Sequence, residues 1–510
     1  MRAWSDRIAA AYRSRTLLWG VMAAGILLRL AQYAANRAFW VDEALLAMNI
    51  RTHGFSGLLG PLNEHIVGPI GFLWTQRLLV QLFGEWEYVQ RLYPLLCGLL
   101  SLFLFREVAR RRVSPDAFPL AVGLFAISNN LIYYASMAKQ YEGDVFFALL
   151  LLLAADRCRE GPLTLRRGLG LVGAGIAALS FSLPSVFVAG GTGLALASRA
   201  AASKDRARLL RLFAVFLSWG AWLGILYVLY LRAHMGNPDP DFWLRDHAPF
   251  PPRSASDFAW YPMKFFETFV DPLGFREGGP HGVAAWVGLF GACALARARR
   301  WWPLALWLGP VPLMMVASMA GRYPILPRMI LFLVPAGYAL FAEGVIAIRD
   351  VAPTRYRTGW VAWLLAAALC VHPVWFAMRG LVRPRVKEEI RDVLDYAAAR
   401  YREGESFYVY EGARPAFAYY APRYPFPPDH CLAGRAYPSA SDEYFNEDAE
   451  RIRQTGRAWI LFSHIRGRGD ASDENRILSR LDTFGRRLES HSAPGAAIHR
   501  YVFPSGSGER

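Results

Sequence analysis

Phe39-Trp40-Val41-Asp42-Glu43-Ala44-Leu45-Leu46-Ala47 sets two adjacent carboxylates just after the apolar run Leu17 to Tyr33. Ionised side chains at the edge of a membrane span are costly unless they are solvated or used. The stretch therefore reads as a membrane boundary. Behind it lies a lipid-embedded chain; beside it lies a polar face.

The totals agree with this reading. Of 510 residues, 54% are hydrophobic and 19% are charged, below the roughly 25% of a soluble protein. The 17 Trp, 23 Tyr and 32 Phe suit a chain with many membrane–water interfaces. A net charge of +16 raises nucleic acid as a partner. The basic residues mostly sit in short loops between apolar runs, where topology and anionic lipid account for them, so no nucleic acid is expected. The first run has basic flanks but no small-residue cleavage site, and is expected to be a retained span. Cys97, Cys158, Cys293 and Cys370 lie in or beside apolar runs, Cys431 in a polar region, and no spacing indicates zinc or a disulfide framework.

A span needs about 20 apolar residues. Eleven stretches qualify as candidates: Leu17–Tyr33, Tyr88–Phe105, Phe118–Tyr134, Val145–Ala155, Leu169–Leu183, Ser185–Leu196, Leu209–Leu231, Gly282–Leu295, Trp302–Ala320, Met329–Ile348 and Trp360–Met378. Leu58–Phe83 mixes Gly60, Pro61, Glu64, His65, Pro69, Gln76 and Arg77 with apolar residues, and reads as interfacial helix. Beyond Val386 the composition turns globular. Val386–Arg402 and Asn475–Phe484 read as helices; Ser406–Tyr410, Ala458–Phe462 and Ile498–Phe503 read as strands. The expected fold is an α-helical polytopic membrane protein of about eleven spans, residues 1–380, with a small extracytoplasmic α/β domain, residues 381–510.

Arginine sets the topology. With the N-terminus cytoplasmic, the inside loops hold Arg106, Arg110, Arg111 and Arg112; Arg157, Arg159, Arg166 and Arg167; Arg199, Lys204, Arg206, Arg208 and Arg211; Arg297, Arg299 and Arg300; and Arg349, Arg355 and Arg357. This is the positive-inside pattern. Four polar clusters then share the outer face: Asp42-Glu43, Asn63-Glu64-His65, the run Tyr133 to Asp144, and Gly321 to Arg328.

Asp42 has two readings. A carboxylate partly desolvated at a boundary is a fitting general base. An acid there is equally a fitting cap or dipole partner for a helix starting at Ala44. Lys139, Arg322 and Arg328 suit a lipid phosphate, which cationic side chains stabilise. They also suit interfacial anchors that snorkel to headgroups. Glu64 and His65 are competent toward a metal or a phosphate, without a metal-motif spacing; a lone His is more often structural. Neither a phosphate-loop motif nor a strand-linked G-x-G-x-x-G is present, and no nucleotide cofactor is expected.

In order, these pieces resemble the polytopic, lipid-donor glycosyltransferases of the GT-C class. The nearer likeness is to the bacterial protein O-mannosyltransferase and aminoarabinose-transferase superfamily. The residues that carry it are Arg29-Leu30 before Phe39 to Ala47; Glu64-His65 with Pro69; Phe83-Gly84 and Gln90-Arg91-Leu92; Tyr134 to Tyr141 with Asp144; and Tyr323-Pro324 with Arg328. The resemblance spans about residues 15 to 350, and extends to the C-terminal domain.

It implies an integral enzyme of the bacterial inner membrane. Such an enzyme takes a sugar from a polyprenyl-phosphate donor and passes it, with inversion, to a glycan, lipid or protein acceptor on the periplasmic side. Asp42 would be the base, supported by Glu43, with Asp144 as second acid. Glu64, His65, Lys139, Tyr141, Arg322 and Arg328 would hold donor phosphate or substrate. In some relatives the acids approach a divalent ion, which would here assign Asp42, Glu64 and Asp144 to it. His65 stands where relatives place a lysine, and Pro69 lies further along than in the family pattern, which departs from a phosphate role for His65. The alternative is a transporter or lipid flippase that uses the outward charges as a pathway. Transporters tend to bind at midplane within inverted repeats; this sequence shows no repeat, and its charged clusters sit at span ends.

Overall fold

The computed structural model describes residues 14–159, 161–234, 246–351, 360–435, 442–467 and 469–504. Arg355 and Arg357 fall outside them. The chain divides into two compact units: residues 1–35 with 53–384, and residues 36–52 with 385–510. The second unit thus takes in the Asp42-Glu43 stretch as well as the C-terminal region.

The first unit is helical, as lipid requires, because only a helix or a closed barrel satisfies every backbone group without water. Each of the eleven apolar stretches carries helix. Among the described residues, seven helices are long and apolar enough to cross a membrane by length and composition: Arg15–Ala34, Glu87–Arg112, Ser185–Ala202, Arg206–His234, Trp301–Met319, Leu331–Val351 and Trp360–Val382. The protein is a multi-pass membrane protein. The stretch expected as one span over Phe118–Tyr134 breaks into Phe118–Ile127 and Asn129–Tyr134, because Ser128 leaves helical geometry and caps the second helix through Leu131 N. The Trp301–Met319 span is likewise interrupted at Gly309-Pro310. Leu58–Phe83 forms two short 3₁₀ turns and then the helix Ile70–Phe83.

Loop arginines tie one end of this unit. Arg112 and the Trp302 indole both bind the buried Asp156 carboxylate, Trp302 Nε1 at 2.9 Å. Arg300 meets Glu343 at 3.1 Å, and Glu343 accepts from Ser114 N at 2.7 Å. Arg349 meets Asp116 at 2.8 Å. These pairs join four helix ends.

The helices Pro280–Arg297 and Val334–Val351 meet through glycine. A Cβ on Gly344 would stand 1.9 Å from Val287 O, and one on Gly291 would stand 2.0 Å from Leu340 O. Small residues let backbones approach this closely, which is how membrane helices gain packing without a hydrophobic drive. Gly344→Ala is expected to push the pair apart and cost about 1–3 kcal/mol, read as a lower melting temperature in detergent.

The second unit holds a five-stranded sheet in the order β2-β1-β3-β5-β4. The strands are β1 (Ser406–Val409), β2 (Cys431–Ala433), β3 (Arg457–Ser463), β4 (Arg486–Ala493) and β5 (Ala496–Val502). β1 pairs in parallel with β2 and β3; β5 runs antiparallel between β3 and β4. Trp459, Ile460 and Leu461 on central β3 are fully buried. Within the sheet, Arg500 reaches Glu405 at 2.5 Å and Glu489 at 2.9 Å, and the Trp459 indole donates to Glu405 at 2.9 Å. Helices Ile390–Ala398, Arg414–Tyr420, Asp442–Arg453 and Asp473–Phe484 complete the α/β unit.

Candidate functional site

In the first unit the candidate site forms around the start of the helix Tyr141–Arg159. Residues 135–140 turn tightly between this helix and Asn129–Tyr134, with Lys139 N donating to Met137 O at 2.6 Å. Asp144 falls in the helix's first turn, its N–H bonded to Gln140 O at 3.1 Å. Lys139 is only 5% exposed and Asp144 is buried. A lysine anchored at a lipid headgroup keeps its ammonium in the wet interface; Lys139 is packed inward instead.

Tyr323 joins the two sequence clusters that follow. Burial, then the nearby Asp144 carboxyl and Tyr141 ring, push its phenol well above the ordinary tyrosine value. The hydroxyl donates to Met329 O at 2.7 Å, which folds the Arg322–Arg328 loop back on itself. The ring packs edge-on against Phe187, with centroids 4.9 Å apart. Tyr141 in turn meets Tyr134 edge-on at 5.5 Å. Lys139, Tyr141 and Asp144 thus share a region with the loop that carries Arg322 and Arg328. Arg322 is exposed and Arg328 half-buried.

Both carboxyl oxygens of the buried Glu142 have no hydrogen-bond partner among the described residues, while Ser182 stands beside the Asp144 carboxyl and Cys97 beside the Tyr93 hydroxyl. Tyr93 packs so closely that a Cβ on Gly143 would lie 2.3 Å from its hydroxyl. Burying a polar group unpaired costs free energy, and such groups gather where a ligand is bound.

Glu142 is fully buried and faces Arg29, also fully buried, from the first span. Arg29 donates to Gly25 O at 3.0 Å and to Ala126 O at 2.9 Å. The break at Ser128 explains the second bond, since it leaves carbonyls of the preceding helix without their usual N–H partner. Glu142, Arg29, Tyr93 and Tyr323 were not among the sequence-assigned site residues. Glu142 was visible in the sequence only as one acid of the Tyr133–Asp144 run.

An apolar cavity of about 310 Å³ opens beside this loop, lined by Phe265, Phe269, Trp307, Met314, Ile325 and Leu333, with Lys264 also on its wall. A second, also about 310 Å³, lies between Ile70, Leu179, Leu223 and Tyr230.

Glu64 lies apart from these groups, exposed on the turn Asn63–His65, in a left-handed conformation with φ 55°. His65 ends that turn. Among the described residues, no group of three or more His, Cys, Asp and Glu side chains stands close enough to hold a metal ion. The mechanism proposed for this chain is written without a metal ion.

Asp42 and Glu43 belong to the second unit. The helix there runs Val41–Thr52, so it starts before the expected Ala44. Trp40 O accepts from Ala44 N at 2.9 Å, which puts both acids in the first turn and leaves neither as the cap. The two differ in setting. Glu43 is fully buried against Arg37 at 3.5 Å, while Asp42 is half-buried. The arrangement separates a carboxylate committed to an internal ion pair from one that is reachable.

No family model matches the sequence, and no curated protein matches it. Among solved structures the fold has clear counterparts. ArnT from Cupriavidus metallidurans bound to undecaprenyl phosphate matches with a TM-score of 0.52 at 15% identity, over 98% of this chain and 100% of that chain. The same protein in the apo state matches with a TM-score of 0.51 at 15% identity, over 96% and 98%. At this identity the likeness is one of fold.

Proposed function

We propose that the chain is a membrane glycosyltransferase that moves a sugar from a polyprenyl-phosphate donor to an acceptor hydroxyl on the extracytoplasmic side, with inversion. The observation that carries this reading is the end-to-end fold likeness to a protein holding undecaprenyl phosphate. The buried Lys139–Tyr141–Asp144 group beside the arginine loop supports it.

The acceptor oxygen attacks the anomeric carbon from the face opposite the phosphate. The bond from that carbon to the phosphate oxygen breaks, and polyprenyl phosphate leaves as an anion. It needs no strong acid, only cations where its charge grows. Lys139, Arg322 and Arg328 supply them. Asp42 takes the proton from the acceptor hydroxyl. Glu43, neutralised by Arg37, supports the turn on which Asp42 stands. Asp144 and Tyr141 orient the sugar-phosphate through their polar atoms. This scheme follows the two-face logic of inverting sugar transfer, with phosphate in place of the protonated acid. The apolar cavity beside Ile325 suits a stretch of prenyl chain.

The test uses the purified full chain in nanodiscs with undecaprenyl-phosphate hexoses and pentoses. Consumption of one of them with release of undecaprenyl phosphate is expected. If none is consumed while the lipid moves between leaflets, the reading is wrong. Arg328→Ala is expected to weaken donor binding by about tenfold, on the order of one charge-assisted contact, and acceptor binding little. Donor titrations by native mass spectrometry check this; the opposite pattern rejects the phosphate role.

A further inference from the structure

We propose that Glu388, set by His464 and Ser463, is a positioning residue that fixes the Trp40–Glu43 turn and thereby the direction of Asp42. This rests on the reading of Asp42 as the base.

The residue before the Val41–Thr52 helix, Trp40, has no side-chain oxygen to receive the helix's first amides. The sheet unit supplies partners instead. Val41 N donates to Glu388 Oε2 at 3.3 Å, Phe39 N to the Tyr420 hydroxyl at 2.9 Å, and Ala38 N to Glu389 Oε2 at 2.9 Å. Arg391, itself paired with Glu389 at 3.1 Å, donates to Asn36 O. The turn that delivers Asp42 is thus held by side chains more than 340 positions away, the Val41–Glu388 separation being 347.

Glu388 is the hub of this clamp. It is buried, and its two oxygens face different partners. Oε2 takes Val41 N and, at 3.3 Å, the Ser463 hydroxyl; Oε1 takes His464 Nδ1 at 2.9 Å. His464 stands at φ 53°, a left-handed conformation that few non-glycine residues adopt, directly after β3. Strain of this kind persists where surrounding contacts over-determine it, and it clusters at functional sites. The same group grips Trp40: Lys387 Nζ lies 2.9 Å from the ring centroid, and the His464 ring lies 6.1 Å away.

Asp42, Glu43 and Glu388 gather at one helix N-terminus, where the dipole favours anions. Arg37 answers Glu43, and Lys387 and His464 stand on the other side. A base must point within a narrow cone at the hydroxyl it serves, and a displacement of about 1 Å can cost about 10²-fold in rate. A clamp on three backbone amides around Asp42 meets that need.

The test is Glu388→Gln in the full-length protein, with Glu388→Ala as the stronger variant. Gln keeps one acceptor oxygen and presents an amide N–H in place of the other, so that His464 Nδ1 can no longer donate to it and has to change tautomer. Three readouts are taken together: hydrogen exchange of the peptide covering residues 36–47, single-turnover transfer from whichever undecaprenyl-phosphate sugar the wild type consumes, and melting temperature. Exchange in 36–47 is expected to quicken by about tenfold or more, and kcat to fall about 10- to 100-fold with donor KM unchanged. Exchange of the peptide covering β3 should stay as in the wild type. Unchanged exchange in both variants overturns the proposal. So does faster exchange with unchanged kcat per folded molecule, which is what a merely structural contact gives. Failure of the base reading shows separately: full activity in Asp42→Asn removes the base and the positioning role together, while the exchange result still reports on the clamp.

Discussion

Asp42→Asn is expected to lower kcat by about 10²–10⁴-fold, the span that a general base contributes, with the chain folded, inserted and still able to bind donor lipid. Asn matches Asp in shape but cannot take the acceptor's proton. The half-buried site of Asp42 accepts an amide readily, so the melting temperature should move little. Glu43→Gln should behave differently. Glu43 is fully buried against Arg37, and the substitution leaves that guanidinium facing a neutral amide. Loss of folded protein is therefore expected to exceed loss of turnover. Single-turnover transfer, measured beside thermal melting, distinguishes the two acids. Full activity in Asp42→Asn ends its assignment as base.

The second large effect concerns Arg29. Arg29→Ala is expected to cost about 1–3 kcal/mol of stability, the loss that follows when buried polar groups are left without the group that served them. Two deficits combine. Glu142 loses its cation while its carboxyl oxygens already have no hydrogen bond, and the Ala126 carbonyl at the helix break loses its donor. Removing both charges, as Arg29→Met with Glu142→Gln, should recover much of the loss, since a neutral buried pair is often as stable as an ionic one. The Ala126 carbonyl stays unserved in either background, so recovery should be incomplete. Melting of the single and double variants in one detergent closes the cycle. Additive losses would show that Arg29 and Glu142 do not act as a pair.

Much of the fold was legible because lipid permits so few alternatives. Every apolar stretch carries helix, and the loop arginines occupy one end of the unit, tied to Asp156, Glu343 and Asp116. The breaks were less legible. Ser128 looks like an ordinary polar residue within an apolar run, and Phe118–Tyr134 was expected as one span. Its effect depends on a buried guanidinium ready to serve the freed carbonyls. In the sheet unit, β1, β3 and β5 were visible as apolar runs. β4 was not, because Arg486–Ala493 lies at the sheet edge with its polar side chains exposed, and lacks the alternation that marks a half-buried strand. The acids and bases of the site were visible as residue types, but their division of labour was not. Glu43 differs from Asp42 through Arg37, and Glu142 differs from Asp144 through Arg29.

The sequence by itself determined the class of protein: apolar length, aromatic content and arginine placement specify a multi-pass membrane chain with a polar α/β unit, because hydropathy and charge act locally and additively. Tertiary structure alone decided which unit owns Asp42. The residues that hold Ala38, Phe39 and Val41 are Glu389, Tyr420 and Glu388, each more than 340 positions away, the nearest separation being 347. Hydrogen bonds over that distance leave no periodicity and no spacing to read; they exist only once the chain has folded and buried amides must find acceptors.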